Sequence, residues 1–306
     1  MNTPVDFLCE YKGNRLFIKR DDLLPFCFGG NKARIAAAHF RNIDSGRYDS
    51  VVVYGGGTSN LCRVTANMAA ARGLPCIIIS PEENYTESVN SRLARFFGAQ
   101  TVLCPVAQVP SAIERVLSGL RNNGFIPYFI PGGGYSPTGT SAYIDCYSEI
   151  TGYETENRIF FDYIFHASGT GTTQSGLVCG ALMNGDKRKI IGISIARENP
   201  RGRHAVLDAV KAYFKEKERN IPEAQIEEAV IFEDGYLSDE NAADGEATAD
   251  RIFRETGIAL DPVYTAKAFA GTEKYISENG IRDKNILFIH TGGTPLFFDG
   301  MMRRYG

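Results

Sequence analysis

The chain has 306 residues and a formal net charge of −3 at pH 7, with 43% hydrophobic and 23% charged residues. This composition is typical of a globular protein with a sizeable core, and the weak negative charge provides no basic field for nucleic acid or an anionic membrane. No apolar run approaches the roughly 20 residues that span a bilayer, and the N-terminal segment lacks a signal-peptide pattern. We therefore expect a cytoplasmic protein with no nucleic-acid or membrane partner.

The predicted elements alternate between short apolar strands and helices along the chain. A hairpin is predicted over residues 7–22, and a helix follows the glycine pair in FGGNKARIAAAHF, residues 28–40. Further strands are predicted at 51–54, 76–80, 99–104, 125–130, 161–168, 189–196, 228–234 and 285–290. Further helices are predicted at 59–73, 85–98, 111–123, 175–185, 203–218, 247–257 and 264–280. This alternation predicts an α/β fold with parallel or mostly parallel sheets flanked by helices.

Two such series of elements predict two lobes, with the glycine-rich segment IPGGGYSPTG at 130–139 as the crossing point. We predict a large domain over 1–47 plus 146–306 and a small domain over 48–145. In open parallel sheets ligands bind beyond the carboxyl ends of the strands, so the loops at those ends carry the functional interpretation.

The seven cysteines are scattered, with no CxxC pair and no clustering with the four histidines. This pattern argues against a structural zinc site and against a disulfide framework. We expect reduced thiols and no metal site.

The loop HASGTGTTQSGL, residues 166–177, follows a strand and opens a helix. Gly169, Gly171 and Gly176 would let backbone amides approach a ligand closely, and neighbouring hydroxyls add donors. A helix N-terminus of this kind suits phosphate. It is not a Walker motif, and Gln174 stands where a dinucleotide fingerprint needs its third glycine. The alternative is a glycine-rich turn without a ligand.

Two other strand-end loops are weaker signals. Ser59 and Asn60 in YGGGTSN lie at a predicted helix start, where they would also be ordinary N-caps. Thr291 and two glycines follow the last strand, where a tight turn explains them equally well.

Lys32 stands at the start of the predicted helix, directly after Gly29, Gly30 and an asparagine. The positive end of a helix dipole disfavours an ammonium group, and a neutral amine is what Schiff-base chemistry requires. We interpret the glycine pair as room for a planar ring; the alternative is a solvated first-turn lysine. A phosphate loop and an amine nucleophile, with no metal set and no dinucleotide fingerprint, indicate pyridoxal 5′-phosphate.

Five segments together resemble the 1-aminocyclopropane-1-carboxylate deaminase and D-cysteine desulfhydrase family. They are IKRDDLLPFCFGGNKAR, GGGTSNLCRVTA, ASGTGTTQSGL, LDPVYTAKAFAG and LFIHTGGTPLFF. The resemblance implies the tryptophan-synthase-β-like fold (fold type II) with the cofactor between two α/β lobes, and usually a homodimer.

The resemblance also implies roles for single residues. Lys32 matches the Schiff-base lysine, Asn60 the asparagine that bonds the phenolic oxygen of the cofactor, and Ser59 a serine at the substrate. Tyr264 matches an active-site tyrosine, and Tyr236 a second one in altered surroundings. The remaining cofactor-binding residues implied are Gly169, Thr170, Gly171, Thr172, Thr173, Thr265 and Thr291.

The chain departs from the family pattern at a few of these positions. Gly57, Thr58 and Leu61 replace the usual isoleucine, glutamine and polar residue, and Thr172 stands where glycine is usual. At Thr265 deaminases carry glutamate, and desulfhydrases carry threonine. A carboxylate beside the pyridine nitrogen deepens the electron sink, so a threonine favours β-elimination over opening of a cyclopropane.

The sequence therefore predicts a pyridoxal-phosphate-dependent lyase of the D-cysteine desulfhydrase type. It would eliminate the β-substituent of a small amino acid and release a keto acid and ammonia. The alternatives are β-replacement or another biosynthetic amino-acid reaction, aminocyclopropanecarboxylate deamination, and a non-catalytic pyridoxal-phosphate-binding protein. A further alternative is an NADP oxidoreductase in which Arg197 meets a 2′-phosphate.

Overall fold

A computed structural model describes residues 1–83, 85–237 and 239–305. The strands are β1 (Val5–Tyr11), β2 (Asn14–Lys19), β3 (Ser50–Tyr54), β4 (Cys76–Pro81), β5 (Gln100–Cys104), β6 (Pro127–Ile130), β7 (Tyr163–Ser168), β8 (Lys189–Ser194), β9 (Ile231–Glu233) and β10 (Asn285–Ile289). The helices are α1 (Asn31–Ser45), α2 (Asn60–Ala70), α3 (Val89–Phe96), α4 (Val109–Asn122), α5 (Pro137–Asn157), α6 (Thr172–Asn184), α7 (Arg201–Glu216), α8 (Glu223–Ala229), α9 (Asp239–Thr256), α10 (Thr265–Glu278) and α11 (Thr294–Tyr305). The predicted α/β class with mostly parallel sheets is confirmed.

The chain forms two compact units, each with its own sheet. The larger unit contains Met1–Leu24, Phe28–Asn31 and the chain from Tyr135 onward, and the smaller unit contains Pro25–Cys27 and Lys32–Gly134. The unit boundaries assign all but the first residue of α1 to the smaller unit. The domain limits predicted from the sequence, 1–47 plus 146–306 and 48–145, stay a prediction.

The sheet of the larger unit has the strand order β1-β2-β10-β7-β8-β9. The predicted hairpin is confirmed, because β1 pairs with β2 in antiparallel fashion, whereas β10 runs parallel to both β2 and β7. Ile289 at the end of β10 lies opposite His166 in β7. Because these parallel strands end at the same sheet edge, the loops that follow β7 and β10 leave the sheet side by side.

The sheet of the smaller unit has the order β5-β4-β3-β6, and all of its pairings are parallel. Its central strand β3 is an uninterrupted apolar run whose residues Val51, Val52 and Val53 are fully buried. A continuous β-branched run of this kind is what a strand covered on both faces requires. The loop that follows β3 leaves this parallel sheet at its carboxyl edge and leads into α2.

Helix α5 was not predicted. Its N-cap Ser136 and first residue Pro137 are start signals, but Gly139 and Gly152 within it are weak helix formers. Its stability comes from packing against α6. A Cβ atom on Gly176 would lie 2.4 Å from the Thr140 carbonyl oxygen, so only glycine permits this contact. The expectation that Gly176 brings a backbone amide to a ligand is thus wrong, since that glycine serves helix packing.

Within the described ranges, no helix is long and apolar enough to cross a membrane. No disulfide bond joins any two of the seven cysteines, all of which lie in those ranges.

Candidate active site

The glycine pair before α1 is held by backbone contacts within the larger unit. Gly29 and Gly30 both have positive φ angles, 56° and 94°. A Cβ atom on Gly29 would lie 2.4 Å from the Asp22 carbonyl oxygen, and one on Gly30 would lie 2.8 Å from that of Thr291. These contacts explain the glycines without a ligand, and the interpretation of the pair as room for a planar ring stays a prediction. The two glycines let the chain before α1 pass close to the loop after β10.

Asn31 connects this segment to two of the predicted loops. Its backbone N–H donates to the Thr291 carbonyl at 2.9 Å, and its side-chain Nδ2 donates to Thr173 Oγ1 at 3.0 Å. The sequence assigned Thr291 and Thr173 to cofactor binding but gave Asn31 no role. Asn31, the residue directly before Lys32, is thereby fixed to the loop that opens α6.

The glycine loop, residues 169–173, has the geometry of an anion site. Gly171 is the N-cap of α6 and has φ 93°, a conformation that favours glycine. It has no side chain to accept a hydrogen bond from the first turn, and a Cβ atom there would lie 3.2 Å from Val206. A helix N-terminus capped by glycine in this way offers backbone donors and a partial positive charge to a phosphate.

Arg197 braces the glycine loop from the strand end of β8. Its Nη1 donates to the Thr170 carbonyl at 3.3 Å, and Thr170 Oγ1 lies 3.3 Å from Thr172 Oγ1. Burial lowers the pKa of Arg197, although the guanidinium remains a cation at neutral pH. Arg197 therefore places a positive charge beside the loop, and its observed contact is with the protein backbone.

Thr265 and Asp261 form a buried pair at the start of α10. Thr265 Oγ1 donates to Asp261 Oδ2 at 2.7 Å, and the backbone N–H groups of Val263 and Tyr264 donate to Asp261 Oδ1 at 3.0 and 2.8 Å. Both side chains are fully buried, and burial raises the pKa of Asp261 to about 6. The Asp261 carboxyl also packs against Gly293 in the loop after β10. Asp261 is absent from the residues predicted for the site, and the sequence signal for it is the Asp261-Pro262 pair, which favours the start of a turn.

The structure separates the two predicted tyrosines. Tyr264 precedes Thr265 directly, whereas the Tyr236 hydroxyl donates to Glu278 Oε2 at 2.7 Å. Glu278 ends α10, 13 residues after Thr265, which corresponds to about 20 Å along the helix axis. Tyr264 thus lies beside Thr265, and the hydroxyl of Tyr236 does not. The catalytic role predicted for Tyr236 has no support in this geometry.

Lys32 lies in the first turn of α1, as predicted. Its side chain is partly buried, and its Nζ donates to the Gly133 carbonyl at 3.0 Å within the smaller unit. Burial lowers the pKa of Lys32 to about 8. A pKa of about 8 leaves roughly a tenth of the amine neutral at pH 7, several hundred times more than for an ordinary lysine.

This lowered pKa predicts how cofactor binding depends on pH. We expect the rate at which the cofactor-free protein gains visible absorbance from added pyridoxal phosphate to rise about tenfold per pH unit below pH 8. Above pH 8 the rate should level off, because the amine is then mostly neutral. The rate is measured between pH 6 and 9.5, and borohydride reduction with peptide mass spectrometry identifies the modified lysine. A rate that still climbs steeply at pH 9.5 would contradict the lowered pKa.

In the smaller unit, Ser59 and Asn60 begin α2. Ser59 is the N-cap, and its Oγ accepts a hydrogen bond from the Cys62 backbone N–H at 3.2 Å. The capping alternative for Ser59 is therefore confirmed. A hydroxyl that accepts this bond still carries a proton that it can donate to a ligand. Asn60 Oδ1 accepts hydrogen bonds from Arg63 Nη1 at 2.7 Å and from Asn90 Nδ2 at 3.0 Å.

Two departures from the family pattern have structural explanations here. A Cβ atom on Gly57 would lie 2.1 Å from the Thr86 carbonyl oxygen, and Ser88 Oγ donates to the Gly57 carbonyl at 2.8 Å. The segment around Ser88 thus packs directly on Gly57. Leu61 is only 1% exposed and belongs to the core, so its side chain is not offered to a substrate.

The residues present fit pyridoxal phosphate in each unit considered separately. The larger unit offers the glycine-capped N-terminus of α6, joined to Asn31 and Thr291, and the Thr265–Asp261 pair. The smaller unit offers a lysine with a lowered pKa and the amide of Asn60. Among the described residues, no group of three or more His, Cys, Asp or Glu side chains is arranged to hold a metal ion.

Comparisons with known proteins agree with this chemistry. A family model described as pyridoxal-phosphate dependent enzyme matches residues 2–292. The D-cysteine desulfhydrase of Serratia proteamaculans (strain 568) is 31% identical, with 95% of this chain and 90% of the relative covered. A crystal structure of an ACC deaminase homologue is 28% identical and has a TM-score of 0.86. The match includes 99% of this chain and 93% of the homologue's chain. Cysteine synthase from Entamoeba histolytica, at 19% identity and a TM-score of 0.71 over 100% of this chain and 89% of its own, shares the fold.

Proposed function

The chain belongs to the family of pyridoxal-phosphate-dependent enzymes, and from that premise we propose that it eliminates the thiol of D-cysteine or a similar small amino acid. The family resemblance, the fold type II class, the cofactor and the lyase class predicted from the sequence are confirmed by the comparisons. The observation that carries the proposal is Lys32, an amine with a lowered pKa that directly follows the asparagine bonded to the glycine loop. With D-cysteine and one water, elimination yields hydrogen sulfide, pyruvate and ammonia.

We assign cofactor binding residue by residue. Lys32 Nζ would bind the aldehyde carbon covalently, and the backbone N–H groups of the glycine loop would hold the phosphate. Asn60 would donate from Nδ2 to the phenolic oxygen. When bound, the cofactor supplies a conjugated ring that accepts the electron pair released at the substrate α-carbon.

Proton transfer is assigned to Lys32. The Lys32 amine, whose burial lowers its pKa to about 8, would be the base that removes the α-proton of the substrate. Ser59 would orient the substrate by donating its hydroxyl proton, because its oxygen already accepts from Cys62. The backbone amides at the start of α2 would hold the substrate carboxylate in place of the side chain at Leu61.

Thr265 supports elimination over ring opening. Its hydroxyl donates to the buried Asp261 carboxyl, so its oxygen would be left to accept a hydrogen bond from a protonated ring nitrogen. The Thr265 hydroxyl would therefore separate the Asp261 carboxylate from the ring nitrogen. A glutamate at position 265 would place its carboxylate directly beside that nitrogen. This arrangement gives a weaker electron sink than in the deaminases, and loss of a thiol needs less carbanion stabilisation than opening of a cyclopropane.

Product release from a substrate panel tests the proposal. The purified protein with bound cofactor is incubated with the D- and L-forms of cysteine and serine and with aminocyclopropanecarboxylate, while keto acid, sulfide and ammonia are measured. We expect equal amounts of keto acid and ammonia from D-cysteine, with sulfide, and at least about tenfold slower release from aminocyclopropanecarboxylate.

Added thiols or amines separate elimination from β-replacement. If sulfide appears without keto acid and a new amino acid forms, replacement is the reaction instead. A protein that binds the cofactor without turnover of any member of the panel would contradict the proposed function. The oxidoreductase alternative has no comparable support, because the observed contact of Arg197 is with the Thr170 carbonyl.

We further propose that the protein is a cytoplasmic homodimer, as the resemblance implies. Exposed apolar side chains on α11, Phe298 at 48% and Met302 at 70%, suit burial against a second copy. Light scattering coupled to size exclusion measures the mass, and a value near 33.6 kDa would contradict the dimer.

A further inference from the structure

A buried guanidinium lies behind the amide of Asn60. Arg63, in the first turn of α2, is 0% exposed. Its Nη1 donates to Asn60 Oδ1 and to Asn90 Oδ1, both at 2.7 Å. Asn90 Nδ2 donates in turn to Asn60 Oδ1 at 3.0 Å and to the Thr58 carbonyl at 2.8 Å. We call Asn60, Arg63 and Asn90 the amide–guanidinium cluster.

The chemistry of this cluster fixes which atom of Asn60 is available to a ligand. A guanidinium only donates hydrogen bonds, so the atom of each asparagine that faces Arg63 must be oxygen. Asn90 therefore turns its nitrogen to Asn60, and Asn60 Oδ1 accepts two hydrogen bonds. The group of Asn60 that remains for a ligand is Nδ2, which can only donate. A ligand atom that meets Asn60 must be an acceptor, and a buried cation close by favours an anionic one.

We propose that Arg63 is a positioning residue, which holds the Asn60 amide with its nitrogen toward an anionic oxygen on the cofactor ring and adds positive charge behind it. The inference rests on the proposed function, in which Asn60 meets the phenolic oxygen. A purely structural role for Arg63, as a link between α2 and α3, would stabilise the fold without distinguishing one ring substituent from another.

The test compares two ligands that differ only at the ring oxygen. Cofactor-free protein is titrated with pyridoxal phosphate and with its 3-deoxy analogue, which lacks that oxygen, for the wild type and for Arg63→Met and Arg63→Lys. We expect Arg63→Met to weaken binding of pyridoxal phosphate about tenfold or more, as for loss of a charge-assisted hydrogen bond. Binding of the analogue should change less than about twofold, and Arg63→Lys should fall between the wild type and Arg63→Met.

The matched control is a buried arginine outside the cluster. Arg188 has a side chain 1% exposed and pairs with Glu154 in the larger unit, so Arg188→Lys should lower thermal stability without changing the ratio of the two affinities.

Should Arg63→Met not fold, Asn90→Ala removes one donor to Asn60 and serves the same comparison, with a smaller loss expected for pyridoxal phosphate alone. Equal weakening of both ligands, or of neither, overturns the positioning role. Failure of the wild type to form a visible band with pyridoxal phosphate contradicts the proposed function instead.

Discussion

Replacement of Lys32 by alanine is expected to abolish the visible absorbance of the bound cofactor and to reduce turnover by about a thousandfold or more. In the proposed mechanism Lys32 both binds the aldehyde and removes the α-proton, so the variant should lose cofactor attachment and chemistry together. The free energy of unfolding should not fall at neutral pH. Burial lowers the pKa of Lys32 to about 8, which means that its charged form is unfavourable in the folded protein and that its removal costs little. Absorbance spectra, product release and thermal unfolding of the same preparation measure the three effects.

A surface lysine provides the matched control. Lys217, at the C-cap of α7, has a side chain 47% exposed and pairs with Glu216. Lys217→Ala should keep the visible band and the rate of product release. If the band survives in Lys32→Ala, the covalent attachment lies at another lysine, and the assignment of Lys32 is wrong whatever the activity shows.

Much of the fold follows from local patterns in the sequence. Strands such as β3 and β10 are short apolar runs between turn signals, and helices such as α2 begin at recognisable caps. Helix α5 was not predicted although it begins at the recognisable pair Ser136-Pro137, because Gly139 and Gly152 weaken its helical pattern. Its stability depends on the close approach of α6 at Gly176, and sequence periodicity does not report a contact between two helices.

The candidate site could likewise be predicted only in part from local sequence patterns. Asn31 and Arg63 stand in the same recognisable segments as Lys32 and Asn60, but the contacts that make them supporting residues are made with distant parts of the chain. Asn31 contacts Thr173 across 142 positions of sequence, and Arg63 reaches Asn90 across 27. A single sequence reports spacing along the chain and gives no information on which distant segments meet. The support of a site therefore has to come from the structure.

Gly57→Ile, which restores the residue common in the family, is expected to lower the free energy of unfolding by about 3 kcal/mol or more. The reason is the backbone itself. A Cβ atom at this position would lie 2.1 Å from the Thr86 carbonyl oxygen, and Ser88 Oγ binds the carbonyl of Gly57 from the same segment. No change of rotamer relieves such a contact, so the segment from Thr86 to Asn90 must move away.

The neighbouring glycine provides a control that differs only in its surroundings. Gly56→Ala adds the same methyl group as Gly57→Ala, but no atom lies within 4 Å of the new Cβ. Thermal unfolding should therefore show a clear loss for Gly57→Ala and little change for Gly56→Ala, and equal stability of the two would refute the close contact. Asn90 belongs to the displaced segment and donates to Asn60 Oδ1, so Gly57→Ile should also loosen the Asn60 amide and weaken cofactor binding. Position 57 then differs from the family because another part of this chain occupies the space that the isoleucine would need.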